Sequence, residues 1–117
     1  LQQKKLKRPL CPYEVCWELG KEINNPSSIL YWAWKHKMPV FCPGIVDGYL
    51  GDLMTFYKQS HPDFYVDVTK EVSDITKIVL NCEKTGGILL GGGISKHFAL
   101  NANIRLGVGN LLRKKQE

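Results

Sequence analysis

The sequence contains no apolar run near the roughly 20 residues that a helix needs to cross a bilayer. The opening ten residues, LQQKKLKRPL, hold no hydrophobic core of signal-peptide length. No Cys-x-x-Cys pair is present, and the three histidines do not complete a zinc-binding pattern. We therefore expect no membrane segment, no secretion signal and no metal site.

Disulfide bonds are not expected either. Cys42 and Cys82 lie in apolar stretches, where a free thiol behaves as a small hydrophobic side chain. Disulfides or metal ligation are the alternative interpretation of the four cysteines. Buried, reduced thiols favour a reducing, cytoplasmic compartment.

The basic residues are concentrated at the chain ends. The net charge is +5, and seven of the 16 basic residues lie at positions 4–8 and 113–115. A nucleic-acid-binding face would need Lys and Arg clustered within the fold. We therefore expect no nucleic-acid binding, and we interpret residues 1–11 and 108–117 as basic terminal tails.

Length and composition are those of one globular domain. The chain has 117 residues, of which 44% are hydrophobic and 23% are charged, values that exclude a mainly disordered protein. Spacing of apolar residues predicts helices at 13–23, 27–37, 53–58, 69–82 (capped by Thr69) and 94–106. Short apolar or β-branched runs predict strands at 39–43, 64–68 and 88–90.

Strands that alternate with helices predict a parallel sheet covered by helices. With about three strands, the expected fold is an incomplete α/β domain with a Rossmann-like sheet. The turn Gly91-Gly92-Gly93 joins the third strand to a helix, where a phosphate could approach the backbone. It lacks the third glycine of G-x-G-x-x-G and is not a P-loop, so a purely structural turn is the alternative.

Two further parts of the sequence contain polar side chains that could bind a ligand. Asp47 and Asp52 bracket a glycine-containing turn after the first predicted strand, and could hold a cationic ligand or a ribose hydroxyl or simply cap the turn and helix. His97, Asn101 and Ile104 fall on one helical face, directly after the glycine turn. His97 suits proton transfer because the pKa of histidine lies near neutrality, although a surface or core role is the alternative.

Together and in this order, these segments resemble the deoxyhypusine synthase family. The matching stretches are LGKEINNP at 19–26, PVF at 39–41, DGYLGD at 47–52, LLGGGISKH at 89–97 and NAN at 101–103. The resemblance covers most of residues 12–107, which we interpret as a partial NAD-binding domain. It corresponds to about the middle third of the family's usual length.

The resemblance implies NAD-dependent transfer of the 4-aminobutyl group of spermidine to a lysine of the translation initiation factor 5A precursor, in hypusine biosynthesis. By position, Asp47, Gly91 and Gly92 would contact NAD. Asp52, His97, Asn101 and Ile104 would line the polyamine pocket, with His97 as the base. The resemblance also implies assembly into a homotetramer.

Some features depart from the family pattern. The family's catalytic lysine lies downstream of the residues present, and the N-terminal part with further NAD contacts is missing. Phe98 stands where a second histidine is usual, while Val46 and Tyr49 replace smaller or polar residues. Two other functions therefore stay open: a non-catalytic paralogue or regulatory subunit that binds a full-length partner, and homospermidine synthase, which uses a free amine as acceptor.

Overall fold

The computed structural model describes residues 8–114 and, within them, all side chains except those of residues 106 and 108–114. It contains α1 (Pro12–Ile23), α2 (Ile29–Lys35), α3 (Tyr49–Ser60), α4 (Val68–Leu80) and α5 (Ile94–Lys114). Each of the five predicted helices is confirmed, with different bounds. The largest differences are at α3, which begins at residue 49 instead of 53, and at α5, which continues to residue 114 instead of 106.

The predicted α/β fold with a Rossmann-like sheet is wrong. Within residues 8–114 no strand is formed, and the strand-like geometry is limited to one isolated parallel bridge between Leu10 and Val66. There the backbone N–H of Asp67 donates to the carbonyl of Leu10 at 2.8 Å. A strand needs a neighbour that pairs its N–H and C=O groups. Apolar composition shows that a segment suits a strand, but it does not supply that neighbour.

The chain divides into two compact units, with the boundary between Glu71 and Val72 inside α4. In the first unit, α1 starts with Pro12 in its first turn, where proline's missing N–H is no loss. The carboxylate of Glu14 accepts a hydrogen bond from the backbone N–H of Cys11 at 3.0 Å. Asn24, in the left-handed conformation with φ 43°, ends the helix by donating to the carbonyl of Gly20.

Helices α1 and α2 pack closely because of Gly20. A Cβ atom at this position would overlap the carbonyl oxygen of Leu30 and lie 3.2 Å from Cβ of Trp34. The indole N–H of Trp17 also donates to the carbonyl of Met38 at 2.7 Å, which fixes the chain after α2. The glycine is therefore required by the close approach of two backbones.

The core of the first unit is small and contains thiols. Its buried residues include Cys11, Pro12, Cys16, Ala33 and Ile45. Burial raises the pKa of the Cys16 thiol to about 11, so this group stays protonated at neutral pH. The expectation of apolar surroundings is wrong for Cys82, which lies beyond the end of α4 and is exposed.

The start of α4 differs from the predicted cap at Thr69. The carboxylate of Asp67 accepts hydrogen bonds from the backbone N–H of Lys70 at 2.9 Å and from the hydroxyl of Thr69 at 2.7 Å. Asp67 is thus the capping residue, and Thr69 supports it. These bonds hold the pKa of the Asp67 carboxyl below its usual range.

The second unit contains the rest of α4, the irregular segment 81–93 and α5. Its buried residues include Ile75 and Ala102. In contrast, Ile88 and Leu90 are 91% and 93% exposed in the segment predicted as the third strand. Among the described residues, no helix has both the length and the apolar character to span a membrane.

Candidate functional site

Asp47 lies on an anchored turn in front of α3. The backbone N–H of Asp47 donates to the carbonyl of Gly44 at 2.9 Å, and that of Ile45 donates to the carbonyl of Cys42 at 3.0 Å. Ile45 is buried, while Asp47 is exposed. The buried isoleucine therefore fixes a turn that holds the Asp47 carboxylate at the surface.

Two glycines allow this turn to fold onto α3. Gly48 adopts φ 86°, in the left-handed region that favours glycine, and its carbonyl accepts from the N–H groups of Gly51 and Asp52. A Cβ atom at Gly51 would overlap the carbonyl oxygen of Val46. Asp52 lies in the first turn of α3, where a carboxylate also complements the helix dipole.

Asp52 lines an open cavity of about 270 Å³ in the first unit. The cavity is also lined by Thr55, Lys58, Phe64 and Tyr65. The ammonium group of Lys58 donates to the carbonyls of Phe64 at 2.7 Å and Pro62 at 3.3 Å. A carboxylate beside aromatic rings suits an ammonium ligand, which both groups attract.

The glycine turn lies in the second unit and leads directly into α5. Gly91 and Gly93 adopt φ 82° and 90°, whereas a Cβ atom at either position would meet no other atom within 4 Å. Glycine is therefore required here for backbone conformation and not for space. The N–H of His97 donates to the carbonyl of Gly93 at 3.2 Å, which closes the first turn of α5.

Helix α5 has two distinct faces. His97, Asn101 and Ile104 share an exposed face, as their spacing predicted. Three residues offset by one position, Phe98, Ala102 and Arg105, share another face: Ala102 is fully buried, and the guanidinium of Arg105 lies 5.7 Å from the Phe98 ring centroid. The departure from the usual second histidine at Phe98 thus gives a packing contact with Arg105.

The predicted site residues divide between the two units. Asp47 and Asp52 flank one turn in the first unit. The glycine turn and the exposed face of α5 follow each other in the second unit, which contains Gly91, Gly92, His97, Asn101 and Ile104. Across residues 8–114, no group of three or more His, Cys, Asp or Glu side chains is arranged to hold a metal ion.

Sequence reasoning missed Glu71, a buried acid of the first unit. Its carboxylate accepts a hydrogen bond from the backbone N–H of Cys42 at 3.0 Å and ties α4 to the segment before the Asp47 turn. Burial raises the pKa of Glu71 above its usual range, and the Cys42 hydrogen bond partly opposes that change. The signal was its position four residues before the buried Ile75, on the same face of α4.

Comparison with known proteins identifies the family. A family model described as deoxyhypusine synthase matches residues 1–115. A deoxyhypusine synthase of Senecio vernalis is 47% identical over 107 residues, which cover 89% of this chain and 29% of that protein. A deoxyhypusine synthase of Caenorhabditis elegans is 47% identical over 94 residues, covering 80% of this chain and 25% of that protein.

A homospermidine synthase 2 of Senecio vernalis is similar to nearly the same degree, at 45% identity over 97 residues. These residues cover 80% of this chain and 26% of that protein. The chain thus spans about a quarter to a third of the length of the curated relatives it matches. Because the family model matches nearly every residue, the chain belongs to the deoxyhypusine synthase family.

Proposed function

We propose that the chain contributes polyamine and dinucleotide contacts to an NAD-dependent transfer of the 4-aminobutyl group of spermidine. The acceptor in this proposal is a lysine of the translation initiation factor 5A precursor, and the product belongs to hypusine biosynthesis. The observation that carries the proposal is the family match over residues 1–115, with both aspartates and the glycine turn in place.

The residues present fit NAD in their chemistry. The turn before α5 has two glycines in the left-handed conformation and opens onto a helix N-terminus, which suits a pyrophosphate. Gly91 and Gly92 would hold this group, and the exposed carboxylate of Asp47 would accept hydrogen bonds from ribose hydroxyls. When bound, NAD would supply a hydride acceptor.

The proposed polyamine contacts are assigned to each unit separately: Asp52 in the first unit and the exposed face of α5 in the second unit. The Asp52 carboxylate borders a cavity that Phe64 and Tyr65 also line, and would pair with an ammonium group of spermidine. Asn101 would add a hydrogen bond, and Ile104, which is 64% exposed, would contact the methylene chain. His97, exposed in the first turn of α5, would accept the proton that leaves the amine during oxidation.

The proposal includes a cytoplasmic location and assembly into a homo-oligomer, a tetramer in the family. Buried thiols such as Cys11 and Cys16 support a reducing compartment. Exposed apolar side chains of the second unit, including Ile88 and Leu90, support association with further copies.

Homospermidine synthase is the second candidate, because the relative with that name is 45% identical. The two activities differ in the acceptor, a protein lysine or a free amine. A non-catalytic subunit that binds a full-length relative is the third candidate.

The test is release of diaminopropane from spermidine by the purified chain. We expect release that requires NAD, loss of release in Asp52→Asn, and normal release in Asp63→Asn, a matched charge change in the same unit. Comparing the factor 5A precursor with putrescine as acceptor separates the first two candidates. A folded chain that releases no diaminopropane contradicts catalysis by the chain alone and indicates a partial site or a partner-binding subunit.

A further inference from the structure

Helix α2 has one face that is not used for packing against α1. The backbone of Leu30 and Cβ of Trp34 lie against Gly20 of α1, and Ala33 is buried. Ile29, Trp32 and His36 recur at spacings of three and four and form a different face. Ile29 is 83% exposed and Trp32 is 41% exposed. We define the outer face of α2 as Ile29, Trp32, Lys35 and His36.

Trp32 is held in place on this face by its neighbours. Its indole N–H donates to the carbonyl of Pro26 at 2.7 Å. The imidazole of His36 stacks on the indole with 5.7 Å between ring centroids and 12° between planes. The ammonium group of Lys35 lies 5.2 Å from the Trp32 ring centroid. A fixed side chain loses little conformational freedom on binding, and tryptophan is among the residues that dominate interface energies.

The charged side chains in the segment that carries this face have one sign. Residues 23–46 include Lys35 and Lys37 but no aspartate or glutamate. Lys35 and His36 flank the exposed indole, while Ile29 adds an apolar contact one turn earlier. An anionic partner that also carries an apolar group is therefore complementary to the outer face of α2.

We propose that the outer face of α2 is a docking surface for an acidic polypeptide segment. Aspartate or glutamate side chains of that segment would pair with the ammonium group of Lys35 and accept a hydrogen bond from a ring N–H of His36, and an apolar side chain would pack on Trp32 and Ile29. A single-stranded nucleic acid fits less well, because it needs a basic track along its phosphates. Lys35 is the one lysine or arginine of the outer face of α2, and Ile29 offers only an apolar contact.

The first experiment selects ligands from a random twelve-residue peptide library with the immobilised full chain. We expect enrichment of peptides that combine Asp or Glu with Leu, Phe or Met. In fluorescence anisotropy, the strongest selected peptide should bind Trp32→Ala at least ten times more weakly than wild type. Lys35→Glu, a change of an exposed side chain, should weaken binding several-fold. Lys84→Gln, an exposed charge change in the other unit, serves as the control and should bind within twofold of wild type.

The competing outcomes are distinct. Selected peptides without acidic residues, or unchanged affinity in both Trp32→Ala and Lys35→Glu, overturn the docking surface. Binding of an oligo-dT probe that Trp32→Ala abolishes, with no peptide selected, assigns the surface to nucleic acid and also overturns the proposal. Circular dichroism of each variant separates lost binding from lost fold, and Lys35→Glu decides the matter if Trp32→Ala does not fold.

Discussion

Two regions of the chain, the core of the first unit and the apolar segment 88–90 of the second unit, differ in how far their apolar side chains are buried. In the first unit, α1 and α2 pack through a glycine contact, and buried residues such as Cys16, Ala33 and Ile45 form a core. In the second unit, Ile75 and Ala102 are buried, whereas Ile88 and Leu90 are almost fully exposed. Buried side chains therefore stabilise the conformation of the first unit, whereas the exposed side chains of segment 88–90 contribute little packing to the second unit.

Most of the proposed ligand contacts lie in the second unit, whereas most of the buried core residues named above lie in the first unit. The proposed dinucleotide glycines and three of the four proposed polyamine contacts lie in the second unit. The first unit contributes two carboxylates that flank a turn, which a buried isoleucine and a glycine hold in place. Stability and ligand binding can therefore be tested separately, and the three tryptophans at 17, 32 and 34 report on the first unit alone.

The largest expected effect is at Gly20. Substitution Gly20→Leu would force a side chain against the Leu30 carbonyl, where even a Cβ atom overlaps. We expect the free energy of unfolding to fall by about 3 kcal/mol, measured by urea denaturation with tryptophan fluorescence. Gly44→Ala is the control, because its Cβ atom would lie 3.9 Å from the nearest atom, and we expect little change. Equal effects of the two substitutions would contradict the close packing of α1 and α2.

A smaller effect is expected at Glu71. Glu71→Leu leaves the Cys42 N–H without its acceptor, which should lower the free energy of unfolding by about 1–3 kcal/mol. Glu71→Gln keeps an acceptor and should have a smaller effect at neutral pH.

The pH dependence of stability tests the same residue. Burial raises the pKa of Glu71, so the folded protein keeps this proton where the unfolded chain, with a pKa near 4.5, has lost it. The stabilising contribution is therefore complete below about pH 4.5 and is lost as pH rises through the folded-state pKa. Glu71→Gln should remove this part of the pH dependence in urea denaturation. An unaltered pH profile would contradict the burial of this carboxyl group.

The ion pair at the start of α1 should contribute less. Arg8 donates to Glu14 at 2.6 Å and, with the Cys11 N–H, lowers the pKa of Glu14 to about 2. The contribution of the ion pair to the free energy of unfolding is present above pH 4.5, the usual pKa of a glutamate, and is lost as pH falls toward 2. Because the pair is partly exposed, Arg8→Gln should cost about 0.5–1 kcal/mol at pH 7 and less near pH 2. A cost that grows on acidification would show that the ion pair is not its cause.

The smallest effect is expected in segment 88–90. Ile88→Ser and Leu90→Ser remove apolar atoms that are already exposed, so the free energy of unfolding should change by less than about 0.5 kcal/mol. Light scattering should instead show reduced self-association. A clear loss of stability would indicate that the second unit buries these side chains, and the contrast between the units would then be wrong.

The helices were predictable from the sequence, whereas the sheet was not. Helix signals are local: Pro12 and Asn24 bound α1, and apolar spacing marks α4. Strand signals depend on partners, so the apolar run at 88–90 led to a predicted strand that the structure lacks. The cap of α4 shows a finer limit, since Asp67 and Thr69 are both suitable capping residues and only the hydrogen bonds distinguish them.

The sequence predicted which residues share a face of α5, but not the contacts that support the turn before α3. Spacing alone put His97, Asn101 and Ile104 on one face of α5. The contact of Gly51 with Val46 depends on a specific turn. The hydrogen bond from Cys42 to Glu71 joins residues that are far apart in the sequence. Spacing could place Glu71 on the face of α4 that carries Ile75, but no local pattern indicates its hydrogen bond with the Cys42 N–H.

The most direct test of the proposed ligand contacts is spermidine binding by isothermal titration calorimetry, in the presence of NAD. We predict that the wild-type chain binds spermidine and that Asp52→Asn binds at least ten times more weakly, since it loses a charge-assisted hydrogen bond of about 1.5–3 kcal/mol. Asp63→Asn should bind as the wild type does. Equal affinity of wild type and Asp52→Asn for spermidine would contradict the assignment of Asp52 to the polyamine, on which the proposed function depends.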